Sequence, residues 1–445
     1  MKQRRFFLVL IFVLLSFTAC SPGHVGSNEL AFIRNGHLWT IDPNGANAFK
    51  IVAQSTPVVD YSWSPTHQIL VFRTLDDQFA KTVAAKQLAT NAITGQVEDT
   101  PSTVNTIGVD GGSAIPTMLS SPDVQYSNPI WNATGTRLVY RQEPTSSHTA
   151  SKALWWASQN DQPGGIATKL LPGSNSQLSL SYINSSAIGI TSRGIFSVSL
   201  AGTNTHYIVP GPLLGHPLPA TLERVLWQPD HTQAALLYAK LAPTGVTRSI
   251  PRTSETTRII QLVLHFQNGQ EKIVASCTCT QFAWSPDGNA VLYSVGNKDT
   301  IININTGSSF NFPVEGDSVP YWSPDSKFLL LDGTHTFQLM QIANQQQFIL
   351  LSDGAMTDTG TTVAGVNALL QPVPNSLWAS NSNHFLFLTH NRLLWQGHTI
   401  KAGKGLYAVT IDAHGQPQGA PIIVDNGNDT QAGWTYQDAN TSFLY

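Results

Sequence analysis

Six short stretches of this chain repeat one pattern: an aromatic anchor, a polar tight turn, then an apolar strand. They are Tyr61-Ser-Trp63-Ser-Pro65, Pro129-Ile-Trp131-Asn, Leu226-Trp227-Gln-Pro229-Asp230, Ala283-Trp284-Ser-Pro286-Asp287-Gly288, Tyr321-Trp322-Ser-Pro324-Asp325 and Leu377-Trp378-Ala-Ser380. Apolar runs such as Ile69 to Phe72, Ala290 to Tyr293 and Phe385 to Leu388 follow them. A unit that recurs at a period of about fifty residues cannot bury its apolar face alone and must stack on its own copies.

The anchor and its strand are half of a unit. The other half is a hairpin: Gly36 to Val52 turns at Pro43-Asn44-Gly45, and Ile259 to Ala275 turns at Asn268-Gly269. Alternating apolar and polar residues broken by Asn-Gly or Gly-Gly are the hairpin signal. Eight such hairpins recur, so eight anchors are expected. Trp434 supplies a seventh, and Tyr182, with no following Pro, an eighth. Anchors and hairpins alternate, but the first hairpin lacks an upstream anchor and the last anchor lacks a downstream hairpin. The pattern predicts an all-β fold, a β-propeller of eight four-stranded blades, or seven if the Tyr182 unit is absorbed elsewhere. The C-terminal strands, Trp434 and Thr441 to Tyr445, are expected to complete the blade begun at Glu29 to Ile33. That closure would remove exposed sheet edges. Composition agrees: charged residues are only 11%, while 34 Gly and 26 Pro supply turns.

The run Trp284-Ser-Pro286-Asp287-Gly288 resembles the TolB-type propeller repeat, also called the WD40-like PD40 repeat. The resemblance extends over nearly the whole mature chain and is strongest at Trp284 and Trp322. It implies that these Trp, Pro, Asp and Gly residues build blades and carry no chemistry.

Lys2, Arg4 and Arg5 precede an apolar run from Phe6 to Phe17, too short to cross a bilayer comfortably and suited to a signal peptide. Ser16-Phe17-Thr18-Ala19-Cys20 resembles a bacterial lipobox, departing from it at Phe17, where the family has Leu, Val or Ile. The resemblance implies cleavage before Cys20 and a lipid on it. The expected organisation is a lipoprotein signal peptide over 1–19, a flexible tether over 20–28 and a single propeller domain over 29–445 with an insertion at 74–102. The expected location is extracytoplasmic and membrane-anchored, at the cell surface or in the periplasm. Removing the three basic residues of the leader from 24 leaves 21 against 27 acidic, a net charge of −6. No basic field for nucleic acid exists.

Sites on a repeat scaffold are expected where the repeat is broken. Thr74 to Ser102 is one insertion, and Asp76 to Thr90 within it has the pattern of a helix with Phe79, Val83 and Leu88 on one face. Lys240 to Thr257 is another, a small basic loop in which Arg248, Arg252 and the adjoining Arg258 suit an anionic ligand or an acidic partner. Asn391 to Gly405 adds Trp395, His398, Lys401 and Lys404, either an exposed stacking residue or an extra hairpin, with the hairpin preferred. Cys277 and Cys279 are expected as two half-buried strand residues, since a bridge between them would close a very small ring.

No Gly-x-Ser-x-Gly elbow, His-Glu-x-x-His, Walker loop or Cys-x-x-Cys occurs. The thirteen His are scattered. The expected function is therefore a non-catalytic, lipid-anchored scaffold with a monomeric body and no cofactor, binding a protein or an envelope component. A metal-dependent propeller lyase or hydrolase, or a glycan-binding or sensor module, stands as the alternative.

Overall fold

The computed structural model describes residues 30–52, 56–64, 69–81, 101–119, 124–126, 130–131, 135, 137–144, 154–157, 168–172, 178–180, 186–191, 193–202, 204–211, 214, 218–229, 232, 234–243, 259–315, 318–333, 335–352, 370–372, 377–389, 393–395, 398–400, 405–425 and 429–434. Among them the chain forms seven four-stranded sheets, one five-stranded sheet and one two-stranded hairpin. Among the described residues the helical elements are two 3-10 turns, Phe79–Lys81 and Ala220–Leu222. The protein is all-β.

The repeat read from the sequence is the sheet itself. Sheet 2 runs Val58–Trp63, Ile69–Leu75, Ser102–Gly108, Ile115–Met118. Sheet 3 pairs Val124–Tyr126 and Ile130–Trp131 with Leu138–Pro144, then Leu154–Ala157 and Thr168–Pro172. Sheet 4 is Ser179–Leu180, Ser186–Thr191, Gly194–Ser199, His206–Pro210, and sheet 5 is Val225–Trp227, Ala235–Leu241, Ile260–Phe266, Glu271–Cys277. Sheet 6 is Gln281–Trp284, Ala290–Val295, Lys298–Asn303, Ser309–Pro313, and sheet 7 is Val319–Trp322, Phe328–Asp332, Thr336–Gln341, Gln346–Ser352. Sheet 8 is Leu370–Pro372, His384–Thr389, Gly405–Thr410, Ile422–Asp425. Sheet 1 takes its first strand from the other end of the chain. Asp429–Trp434 pairs antiparallel with Leu30–Arg34, followed by His37–Ile41 and Phe49–Lys50. Leu30 lies opposite Trp434. Tyr182 and Thr441 to Tyr445 lie outside the described residues.

Second strands are apolar on both faces because both faces are covered. In Ile69–Leu75, Leu70 and Phe72 pack toward sheet 1 while Val71 packs toward sheet 3. Fourth strands are far more exposed, as in Glu271–Cys277. Seven buried clusters join sheets that are neighbours in chain order, and one of them joins sheets 7, 8 and 1. The anchors sit in these seams. Trp63 packs with sheet 1, Trp131 with sheet 2, Trp284 with sheet 5, Trp322 with sheet 6 and Trp378 with sheet 7. Two indoles also donate to the first strand of the preceding sheet: Trp131 Nε1 to Ser62 O at 3.3 Å and Trp378 Nε1 to Tyr321 O at 3.1 Å.

The cysteine expectation is corrected. Cys277 and Cys279 are disulfide-bonded, with Cα atoms 5.2 Å apart. The outer strand ends at Cys277, so Cys279 leaves the strand's alternation and turns back toward its partner. Cys279 is buried among Leu218, Leu222, Ile260 and Trp284.

Candidate binding surface

Antiparallel order gives every sheet two unlike ends. The connections from strand 1 to 2 and from strand 3 to 4 leave at one end. Those from strand 2 to 3, and from strand 4 to the next sheet, leave at the other. Contacts between sheets align like ends with like. Gln228 Nε2 donates to Gly288 O at 2.9 Å, Asp287 N to Ser326 Oγ at 3.0 Å and Asp325 N to Ser382 Oγ at 3.0 Å. All six residues belong to strand 1–2 turns of sheets 5 to 8.

These turns explain a departure from the repeat. Gly288, Ser326 and Ser382 occupy the same turn position and all have positive φ, 69°, 60° and 60°. Glycine is the easy choice there. The two serines carry backbone strain, and each hydroxyl accepts a backbone N–H from the turn of the preceding sheet. Within the turns, Ser285 Oγ donates to Asp287 Oδ1 at 2.5 Å and Ser323 Oγ to Asp325 Oδ1 at 2.8 Å. Burial pushes the Asp325 carboxyl up, but hydrogen bonds from Ser323 and Lys327 outweigh it and leave it below its ordinary value.

The opposite end is held by charge. Arg73 is buried and gives Nε hydrogen bonds to Asp60 Oδ1 and Oδ2 at 2.8 and 3.0 Å, while its Nη1 donates to Tyr126 O of sheet 3. Arg34 pairs with Asp425, joining sheets 1 and 8. Arg224 Nη2 donates to Phe282 O, joining sheets 5 and 6, and burial lowers its guanidinium to about 10. Glu315 accepts from His335 N at 2.6 Å and Thr336 Oγ1 at 2.7 Å, joining sheets 6 and 7. Asp299, near this end of sheet 6, is only 1% exposed, and burial lifts its carboxyl to about 6 against the pull of the adjacent Ser294 hydroxyl.

All three insertions are rooted at this charged end, each between the second and third strands of its sheet. Residues 76–101 leave sheet 2, 242–259 leave sheet 5 and 390–404 leave sheet 8. The flanking strands run further than the sequence suggested, so Thr74, Leu75, Lys240 and Leu241 are strand residues. Asp76 Oδ1 caps the first turn of the first insertion, accepting from Gln78 N at 2.9 Å and Phe79 N at 3.0 Å. Phe79 packs on Val59 and Leu75. The expected helix is described only as far as the turn Phe79–Lys81. Arg248, Arg252 and Arg258 lie outside the described residues, as does Cys20. Trp395 lies in the expected extra hairpin, Leu393–Trp395 paired with His398–Ile400.

One polar cluster was not foreseen. Across the face of sheet 5, Lys240 Nζ reaches Glu271 Oε2 at 2.7 Å, and Tyr238 Oη donates to Glu271 Oε1 at 2.6 Å. His265 Nδ1 lies 3.6 Å from the same carboxylate. Burial works to raise Glu271, yet hydrogen bonds from Lys240 and Tyr238 hold it below its usual range, while burial drives the Tyr238 phenol up. Lys240, Tyr238, His265 and Glu271 come from three strands, so only the register brings them together. Among the described residues, no three His, Cys, Asp or Glu side chains gather as a metal site.

No family model and no curated sequence matches the chain. Solved structures do resemble it. A eukaryotic initiation factor has a TM-score of 0.49 at 10% identity, covering 92% of this chain and 98% of its own. An oligogalacturonate lyase in complex with manganese has 0.42 at 12%, covering 70% and 81%. TolB from Acinetobacter baumannii has 0.32 at 11%, covering 82% and 79%.

Proposed function

We propose that the eight sheets are the blades of one closed β-propeller. We propose further that the molecule is a lipid-anchored, extracytoplasmic, non-catalytic scaffold that binds a protein or cell-envelope component through its charged end. The observation that carries this reading is the shared root of the three insertions. Departures scattered by chance would divide between the two ends; these three all leave one. Loops held on a rigid scaffold are where recognition is placed. The other end supports the same reading from the opposite side, since the strand 1–2 turns of sheets 5 to 8 are bonded to one another. The pairing of Asp429–Trp434 with Leu30–Arg34, and the cluster shared by sheets 7, 8 and 1, favour closure.

Two experiments test it. In cells, a photo-crosslinker placed at position 77 or 243 should trap a discrete partner, and one placed at 269 or 307 in the tight turns should not. Equal trapping from both ends, or from neither, would sink the proposal. Radiolabelled palmitate should be incorporated by the wild-type chain and lost in Cys20→Ala; unchanged labelling refutes the anchor.

A further inference from the structure

We propose that Cys277 and Cys279 form a redox-active disulfide that exchanges with external thiols, an activity separate from scaffold binding and independent of it. The bond spans a single intervening residue. A loop that short removes little freedom from the unfolded chain, so the bond adds little stability by cross-linking. It is not needed to hold the segment either. Cys277 is already paired with Ile260 in the sheet, and Thr280 N donates to Ser294 O at 3.0 Å on the far side. The backbone is therefore fixed on both flanks of the bridge, and reduction leaves it in place.

The two cysteines differ in exposure. Cys277 is half-buried at the end of Glu271–Cys277, the outer strand of sheet 5, which has no strand on its far side among the described residues. Cys279 is 5% exposed. That difference assigns the order of events. A thiolate attacks Cys277 Sγ and forms a mixed disulfide. The Cys277–Cys279 bond breaks, and Cys279 leaves as a thiolate that takes a proton from water. A second thiolate attacks the external sulfur of the mixed disulfide, releasing Cys277 as a thiolate and the two external thiols as their own disulfide. Two electrons pass to the protein, and the reverse sequence returns them from the Cys277–Cys279 dithiol to an external disulfide. A disulfide that is accessible and closes a small ring is the labile kind, unlike a buried structural bridge.

The test uses the full-length chain in glutathione buffers of graded ratio, and in parallel with dithiothreitol. Thiols are alkylated and located by peptide mapping, which separates this pair from Cys20. The expected result is half-reduction in glutathione mixtures that leave the disulfides of hen lysozyme intact, with circular dichroism and melting temperature unchanged. Reduction by dithiothreitol alone also supports exchange and assigns a dithiol rather than a monothiol as the partner. Cys279→Ser should form a glutathione mixed disulfide at Cys277 at least ten-fold faster than Cys277→Ser forms one at Cys279. The proposal is overturned if the pair stays oxidised until denaturant is added. It is equally overturned if the air-equilibrated chain carries two alkylatable thiols, or if the two single variants react at equal rates.

Discussion

The two ends of the stacked sheets solve the same problem by different chemistry. At the tight-turn end, neighbouring sheets are joined by neutral hydrogen bonds between turns, with Ser326 and Ser382 as receivers. At the insertion end, they are joined by Arg73, Arg34, Arg224 and Glu315, groups that are charged and largely withdrawn from water. Neutral turn contacts contribute modestly and are indifferent to pH. Buried charges are costly to strand and respond to titration. The end that offers room for variation is thus also the end where losing one partner strands a buried charge.

The largest expected break in this contrast is Asp60→Ala. It leaves Arg73 buried without its carboxylate and should cost about 3–5 kcal/mol in urea unfolding. Asp60→Leu combined with Arg73→Met should recover most of that loss. If the single change costs under about 1 kcal/mol, the insertion end is not held by buried charge.

Asp299 sharpens the pH side. Its carboxyl is lifted from 3.8 to about 6 in the fold. The folded state then binds the proton more tightly than the unfolded one. Stability from this group is fully present below about pH 4 and lost as pH rises through about 6. Asp299→Asn removes that dependence, so its stability relative to wild type should be about 2–3 kcal/mol more favourable at pH 7 than at pH 4. An identical difference at both pH values would remove Asp299 from the account.

The smallest effect is expected at the tight turns. Ser326→Ala loses the bond from Asp287 N and keeps the strained φ, costing about 1–2 kcal/mol. Ser326→Gly loses the same bond but relieves the strain, and should fall within about 0.5 kcal/mol of wild type. Thermal unfolding of the two variants side by side checks the strain, and the hydroxyl is idle if Ser326→Ala melts with wild type.

What the sequence disclosed follows from how local each cause is. The turn at Asn268-Gly269 is set by residues in the turn itself, and Gly269 has φ 82°. The first hairpins were legible for the same reason, whereas the pairing of the Trp434 segment with the N-terminal strand was legible from the repeat count, because the first hairpin lacked an anchor and the last anchor lacked a hairpin. Asp60 and Arg73 were not legible as a pair. Their meeting requires the register that sets Asp60 opposite Arg73, and the third partner, Tyr126 O, belongs to another sheet. The Tyr238–Glu271–Lys240 cluster was hidden likewise. Cys279 was misread because strand alternation was carried two residues beyond Cys277, where the strand stops. The common root of the insertions was available in principle. Each interrupts the same step of the repeat, between second and third strands, but that shows only once every strand has been assigned its place.

Leu30–Arg34 is almost wholly buried, and its neighbour on one side is Asp429–Trp434. That neighbour lies far downstream in the sequence and is made long after the strand it completes. Until then the earliest-made strand has one backbone edge open and an apolar side chain at nearly every position. Through that interval the strand is an apolar segment with an unpaired edge. A carrier that shields residues 30–34 until residue 434 arrives would do more for the yield of folded protein than any change in the sheets between.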